Sequence, residues 1–186
     1  RIASDFLDFA RPLKLEVSEV RPHDLLERGR SRVAAQLEQA GIDCSVAVRE
    51  GTPSFLADVK QVEQVLLNLI LNAIQAMPEG GSLELGARPS ADWPESVELW
   101  VRDTGCGIPP DRLERIFTPF FTTKVKGTGL GLPVVQKIVQ NHGGHIAVES
   151  VEGEGAVFRI HLPVRGPAPS LLHQHEPSPP DLMERA

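Results

Sequence analysis

One long helix signal restricts the possible folds more than anything else in this chain. Residues 58–77 (DVKQVEQVLLNLILNAIQAM) open with Asp58 and Gln61 three positions apart, the spacing of a capping box, and close at Pro78-Glu79-Gly80-Gly81. Val62, Val65, Leu66, Leu69, Ala73 and Met77 recur at helical spacing and form one apolar face. An apolar stripe of that length must be buried, and the segments around it read as strands that build a sheet to receive it.

Those strands are LKLEVSEV (13–20), CSVAVRE (44–50), SLELGAR (82–88), SVELWVRD (96–103), HIAVESV (145–151) and AVFRIHLPV (156–164). Residues 23–40 predict one amphipathic helix on Leu25, Leu26, Val33 and Leu37, stopped by Gly41. A third helix is expected from about 129 to 142, ended by Gly143-Gly144, and the last two strands form a hairpin through residues 152–155. Interspersed helices and strands with a terminal hairpin predict an α/β (α+β) fold. It is a two-layer sandwich, a mixed sheet of about five strands packed on about three helices.

The 186 residues suffice for one ordinary core, and 41% hydrophobic with 24% charged residues fits a globular domain. A formal net charge of -6 offers no chain-wide basic field for nucleic acid. Cys44 and Cys106 make neither a disulfide framework nor a metal site, and the six histidines form no ligand cluster. No apolar run is long enough to span a bilayer, so no direct membrane contact is expected. Ile2, Phe6, Leu7 and Phe9 sit at helical spacing before Arg11-Pro12, so residues 1–12 read as the end of a helix in a longer protein. Residues 13–165 form the domain, and 166–186, rich in Pro without periodicity, a flexible tail.

Three places carry candidate chemistry. On the long helix, Gln61, Gln64, Asn68, Asn72 and Gln75 form a second stripe made only of carboxamides. Asn costs roughly 0.5–0.7 kcal/mol in a helix interior relative to Ala. The stripe reads either as a solvated polar face or as oxygens that hold a cation or phosphate-bound water. In Asp103-Thr-Gly105-Cys-Gly107-Ile108 an apolar strand ends at an acid followed by two glycines. That is either an ordinary turn or a carboxylate placed to accept from an exocyclic amine, with Ile108 covering a flat ring. In KGTGLGLPVV (126–135), Pro133 lacks an N–H and fits only the first turn, which puts the helix start near Gly129–Leu130. The N–H groups of Gly129, Leu130 and Gly131 then face outward, as phosphate sites require, and the plainer alternative is a flexible glycine turn. Residues 104–128, with four basic residues, form a connection long enough to act as a lid.

The order of these elements resembles the ATP-binding domain of sensor histidine kinases, members of the GHKL superfamily. NLILNAIQAM (68–77) resembles that family's N box, DTGCGI (103–108) its first glycine box and FTPFFTTK (117–124) its F box. GTGLGL (127–132) is similar to the second glycine box and GEGAVF (153–158) to the third. The branch most resembled includes the nitrogen-regulation and dicarboxylate sensors. The resemblance implies a Bergerat-type fold with a long ATP lid, and ATP with Mg²⁺ as cofactors. It implies that Asn72 holds Mg²⁺ with Asn68 nearby, and that Asp103 binds the adenine amine beside Gly105, Gly107 and Ile108. Gly127, Thr128, Gly129, Leu130 and Gly131 would hold phosphates, and Thr122, Thr123 and Lys124 would reach the γ-phosphate. Asn68 and Lys124 are the expected catalytic residues. Where many relatives carry a basic residue three after the Mg²⁺-binding Asn, this chain has Gln75.

The implied activity is transfer of the γ-phosphoryl group to a histidine for relay to a response-regulator aspartate. None of His23, His142, His145, His161, His173 and His175 has the following acid, base and proline of an acceptor, and His23-Asp24 is the nearest imitation. The acceptor is therefore expected on a dimerisation domain of the same or a partner subunit, with the receiver domain as second partner. The chain alone is expected to be monomeric and not to phosphorylate itself. Its parent is expected to be homodimeric and cytoplasmic, or anchored in the inner membrane. The alternatives are an ATP hydrolase of the same fold, which would carry a Glu where Asn68 stands, and a nucleotide-sensing module without chemistry.

Overall fold

A computed structural model describes residues 15–122 and 127–168. The helix end expected in residues 1–12, the first two positions of the first strand, Thr123, Lys124 and the tail beyond 168 lie outside the described residues.

The elements follow in the order β1 (Val17–Val20), α1 (Pro22–Arg32), α2 (Ala34–Gln39), β2 (Ile42–Val48), β3 (Phe55–Asp58) and α3 (Val59–Ala76). Then come β4 (Gly81–Pro89), β5 (Ser96–Asp103), α4 (Pro110–Leu113), α5 (Gly131–Asn141), β6 (His145–Val151) and β7 (Gly155–Pro163). Five strands make one sheet in the order β2-β4-β5-β7-β6, parallel between β2 and β4 and antiparallel elsewhere. The expected mixed two-layer sandwich is the observed architecture.

Strict alternation builds it. Leu83, Leu85 and Ala87 of β4 lie beside Val97, Leu99 and Val101 of β5 and Phe158, Ile160 and Leu162 of β7, all buried on one face. Val65, Leu66, Leu69 and Ile70 of α3, Val135, Ile138 and Val139 of α5, and Leu25 and Leu26 of α1 complete the same core cluster. At roughly 25 cal/mol per Å² of apolar surface removed from water, this shared layer supplies the main stabilisation.

The intervening positions of the sheet carry charge. Arg88 pairs with Glu98 at 2.8 Å, and Arg159 reaches both Glu98 at 3.5 Å and Glu149 at 3.1 Å. Glu98 is 1% exposed, so a second arginine beside it compensates the desolvation of its carboxylate. Trp100 donates its indole N–H to Glu84 at 2.9 Å. Its ring occupies the space over Gly86, where a Cβ would stand 2.0 Å away.

Two expectations are corrected. Among the described residues the first strand spans Val17–Val20 and does not join the main sheet. It pairs antiparallel with β3, which the sequence did not announce, in a separate two-stranded ribbon. The ribbon is held to β7's end by Leu56, whose N–H donates to the Val164 carbonyl at 3.0 Å. The single helix expected over 23–40 is two. At Val33 the backbone turns to φ -115°, ψ 12°, and its N–H bonds Arg30 O, three residues back. β-branched Val33 is a weak helix former, and the tightened turn buries both it and Leu37. Among the described residues no helix is long and apolar enough to cross a membrane.

Candidate functional site

Between α3, α5 and the end of β5 lies a cleft of about 540 Å³. Its first wall is the carboxamide stripe. Asp58 caps α3: its Oδ1 accepts the Gln61 N–H at 3.2 Å, while its Oδ2 accepts from Gln61 Nε2 at 3.1 Å. Gln61 is thus consumed by the cap. The remaining four, Gln64, Asn68, Asn72 and Gln75, line the cleft. The stripe is a cleft wall rather than a uniformly solvated face.

The floor is the end of β5. Asp103 is 5% exposed, and its Oδ1 accepts the Gly105 N–H at 2.9 Å. Burial raises its carboxyl pKa above the ordinary 3.8, against the backbone donors of Gly105 and Ala156, which pull it down. Such a group suits a neutral amine donor, because the charge costs desolvation until a partner hydrogen-bonds it. The loop after it is pressed onto α3. The Cys106 N–H donates to Ala76 O at 3.0 Å, and a Cβ on Gly105 would stand 2.6 Å from that oxygen. Gly105 is therefore not among the residues lining the cleft, whereas Gly107 and Ile108 are.

Two glycine motifs are built on each other here. Gly107, at φ +65°, leaves no room for a Cβ, which would meet Val151 O at 2.1 Å. The Ile108 N–H donates to Ser150 Oγ at 2.8 Å, and that hydroxyl donates onward to Gly155 O at 2.6 Å. Gly155, at φ +102°, places its missing Cβ 2.1 Å from Asp103 O. The residues of GEGAVF thus buttress the loop that carries Asp103.

The second wall is the start of α5. Leu130 is its buried N-cap, and the first intrahelical bond runs from Val134 N to Leu130 O at 3.0 Å. The N–H groups of Leu130, Gly131 and Leu132 lie ahead of that bond, and Pro133 has none. A Cβ on Gly131 would face Asn68 Oδ1 at 3.7 Å, so the helix start and the amide stripe confront one another across the cleft. Thr122, Gly127, Thr128 and Gly129 also line it.

The connection between the walls is tied at its base. The Phe120 N–H donates to Gly129 O at 3.0 Å, and a Cβ on Gly129 would lie 2.5 Å from the Phe120 carbonyl carbon. Of the three phenylalanines, Phe117 and Phe121 pack partly buried against the core, Phe121 beneath the Arg115 guanidinium at 4.6 Å. Phe120 is 65% exposed and holds φ +66°, a conformation costly for a side-chain-bearing residue.

Sequence reasoning passed over two residues of this region. Arg112, on α4, lines the cleft. A basic residue in a loop rich in Gly and Pro gives no signal beyond solvation. His142 is 1% exposed and joins the far ends of the two walls. Its Nε2 accepts the Asp58 N–H at 3.0 Å, and its Nδ1 donates to Ile138 O at 2.8 Å. Burial lowers its pKa below the ordinary 6.5, against the Ile138 hydrogen bond and the Asp58 charge.

Residues 57–166 match the family model described as histidine kinase-, DNA gyrase B-, and HSP90-like ATPase. The sensor histidine kinase ZraS of Salmonella typhimurium is 43% identical over 164 residues, covering 88% of this chain and 35% of ZraS. The chain thus spans about a third of that curated relative. Full-length ShkA in complex with AMPPNP superposes with a TM-score of 0.80 at 31% identity, covering 89% of this chain and 35% of ShkA. The nucleotide-free catalytic domain of histidine kinase ThkA superposes at 0.72 with 34% identity, covering 81% of this chain and 97% of that domain. ThkA in complex with the response regulator TrrA superposes at 0.74 with 29% identity, over 91% of this chain and 47% of ThkA.

Proposed function

Because the chain belongs to the histidine kinase-, DNA gyrase B- and HSP90-like ATPase family, we propose that it is the ATP-binding catalytic domain of a two-component sensor histidine kinase. It passes the γ-phosphoryl group of ATP to a histidine on a dimerisation domain, for relay to a response-regulator aspartate. In this reading residues 1–12 end that dimerisation domain, 13–165 form the catalytic domain and 166–186 are a tail. The parent is a cytoplasmic or membrane-anchored homodimer.

The observation that carries the reading is the confrontation of Gly131 and Asn68 across the cleft, with buried Asp103 at its floor. The donor set fits a magnesium nucleotide. Backbone N–H groups at a helix start take phosphate oxygens, and carboxamide oxygens take a hard, oxygen-seeking cation. Asn72 is the assigned Mg²⁺ ligand, with Asn68 beside it. Gly127 to Gly131 hold phosphates, and Asp103 accepts from the adenine amine, with Ile108 and Gly107 against the ring. Thr122, with Thr123 and Lys124, is assigned to the terminal phosphate from the lid. Mg²⁺, when bound, neutralises phosphate charge. The chain itself orients the nucleotide and excludes water from it, which is most of what phosphoryl transfer asks of a protein.

Transfer is favoured over hydrolysis because Asn68, an amide without useful basicity, occupies the position of a hydrolase's general base. Incubation with γ-labelled ATP tests the reading. The chain alone binds ATP without stable label, and adding a dimerisation domain, fused or in trans, gives an acid-labile, base-stable adduct on that domain. Stable label on His23 or any other residue of this chain overturns the assignment. Bound ATP with no label in either case points to a nucleotide-sensing module.

A further inference from the structure

The cleft has a direction, and α3 measures it. At one end, Gly105 sits on Ala76 O, the last residue of α3, next to the buried Asp103. In the middle, Gly131 at the head of α5 faces Asn68. Going backward along α3 from Ala76, the cleft-lining amides come in the order Gln75, Asn72, Asn68, Gln64. Each four-residue step is about 6 Å of helix rise. Gln64 therefore stands one turn beyond the place where α5 meets the stripe, at the end of the cleft farthest from Asp103. It is half-buried, and it follows Gln61, whose side chain is held by the Asp58 cap.

From this order we infer that Gln64 is the side chain of α3 that contacts the terminal phosphoryl group, alongside the residues assigned to it above. The inference rests on the nucleotide reading above and goes beyond it, since it assigns a donor to the γ-phosphate alone. A base held at Asp103 and a phosphate chain running between Asn72 and the head of α5 leave the terminal phosphate as the part of ATP that reaches Gln64. A carboxamide suits that place. Its Nε2 donates to a phosphoryl oxygen, and its neutrality adds no charge to repel the incoming phosphate. It exchanges no proton. In transfer, the bond from the γ-phosphorus to the β–γ bridging oxygen breaks, ADP leaves with that electron pair, and a P–N bond forms to the acceptor ring nitrogen. Gln64 holds an equatorial oxygen in place throughout.

The discriminating experiment compares ATP with ADP on this chain by calorimetry with Mg²⁺, for wild type, Gln64→Ala and Gln64→Glu. Ala is a stronger helix former than Gln, and a circular dichroism melt checks that each variant is folded. In Gln64→Ala, ADP affinity stays at the wild-type value and ATP affinity falls about tenfold, the scale of one hydrogen bond to a charged group. Gln64→Glu loses more ATP affinity than Gln64→Ala through repulsion, again with ADP spared. A wild-type chain that binds both nucleotides while Gln64→Ala changes neither, or weakens both equally, overturns the assignment of Gln64 and leaves the nucleotide site standing. A wild-type chain that binds neither nucleotide overturns the nucleotide reading, and this assignment with it.

Discussion

The imidazole of His142 accepts the backbone N–H of Asp58 at 3.0 Å, joining the end of α5 to the beginning of α3. The same Asp58 caps α3 through Gln61 and takes the Glu16 N–H at 3.1 Å. One buried ring thus sets the spacing of the two helices whose other ends form the cleft.

This ring makes stability pH-dependent. Burial holds the folded pKa of His142 below 6.5, and that of His161 as well, so the unfolded chain binds protons first as pH falls. Stability is full above pH 6.5 and declines as pH drops through the interval down to the folded pKa values. Chemical denaturation from pH 8 to pH 5 reads this as a falling midpoint. His142→Ala flattens the slope and lowers stability at pH 8 by roughly 2–3 kcal/mol, because the Asp58 N–H loses its acceptor and the buried ring leaves a cavity, while Ile138 O keeps the backbone N–H of residue 142.

Asp103→Asn weakens ATP about tenfold and narrows the preference for ATP over GTP, since an acceptor-only group becomes a mixed one. In the wild type, ATP affinity begins to fall before the pH has dropped to the ordinary 3.8, because burial has raised the Asp103 pKa and the acceptor carboxylate is protonated sooner. Titrations with both nucleotides across acidic pH measure both effects. Equal binding of ATP and GTP by the wild type removes Asp103 from base recognition.

Asn72→Ala abolishes the part of ATP affinity that depends on Mg²⁺, a loss of about tenfold on the scale of one contact to a charged group. Calorimetry with and without the metal separates it from metal-independent binding. An unchanged metal effect excludes Asn72 as the ligand.

Gly155→Ala destabilises the domain by about 3 kcal/mol, through the strained backbone and the clash together. The added methyl meets Asp103 O at 2.1 Å and must push β5's end. A thermal melt measures the loss, and a variant as stable as wild type shows that the turn can reshape.

Asn68→Glu restores a carboxylate where a hydrolase keeps its general base, and raises ATP hydrolysis by the chain alone. A phosphate-release assay checks it, and a rate no higher than wild type means that water is not seated beside residue 68.

What the sequence disclosed follows from how local each signal is. The helix α3 was legible because cap and apolar face both lie within it. The main-sheet strands were legible because β4, β5 and β7 alternate. β3 was not, because its four residues run straight into the cap of α3 and its partner lies far back at Val17–Val20. The break at Val33 was hidden because Val33 and Leu37 keep helical spacing on either side of it. At the cleft, Asp103, Asn72 and the Gly127–Gly131 run stood out through residue type and order. The pairing of Gly131 with Asn68 and the hold of His142 on Asp58 depend on distant elements meeting, which no spacing encodes. Gly105 and Gly107 were expected beside the adenine, and the structure shows that Gly105 makes room for the Ala76 carbonyl.

The bond between Phe120 and Gly129 makes the intervening segment a cassette. Both junctions are fixed by the fold, so residues can be gained or lost between them without moving the register of α5 or the amides opposite. Doubling such a loop costs only about 0.6 kcal/mol in closure entropy. Evolution is thereby free to vary the segment between these two residues, in length and in charge, while the walls of the cleft stay constant.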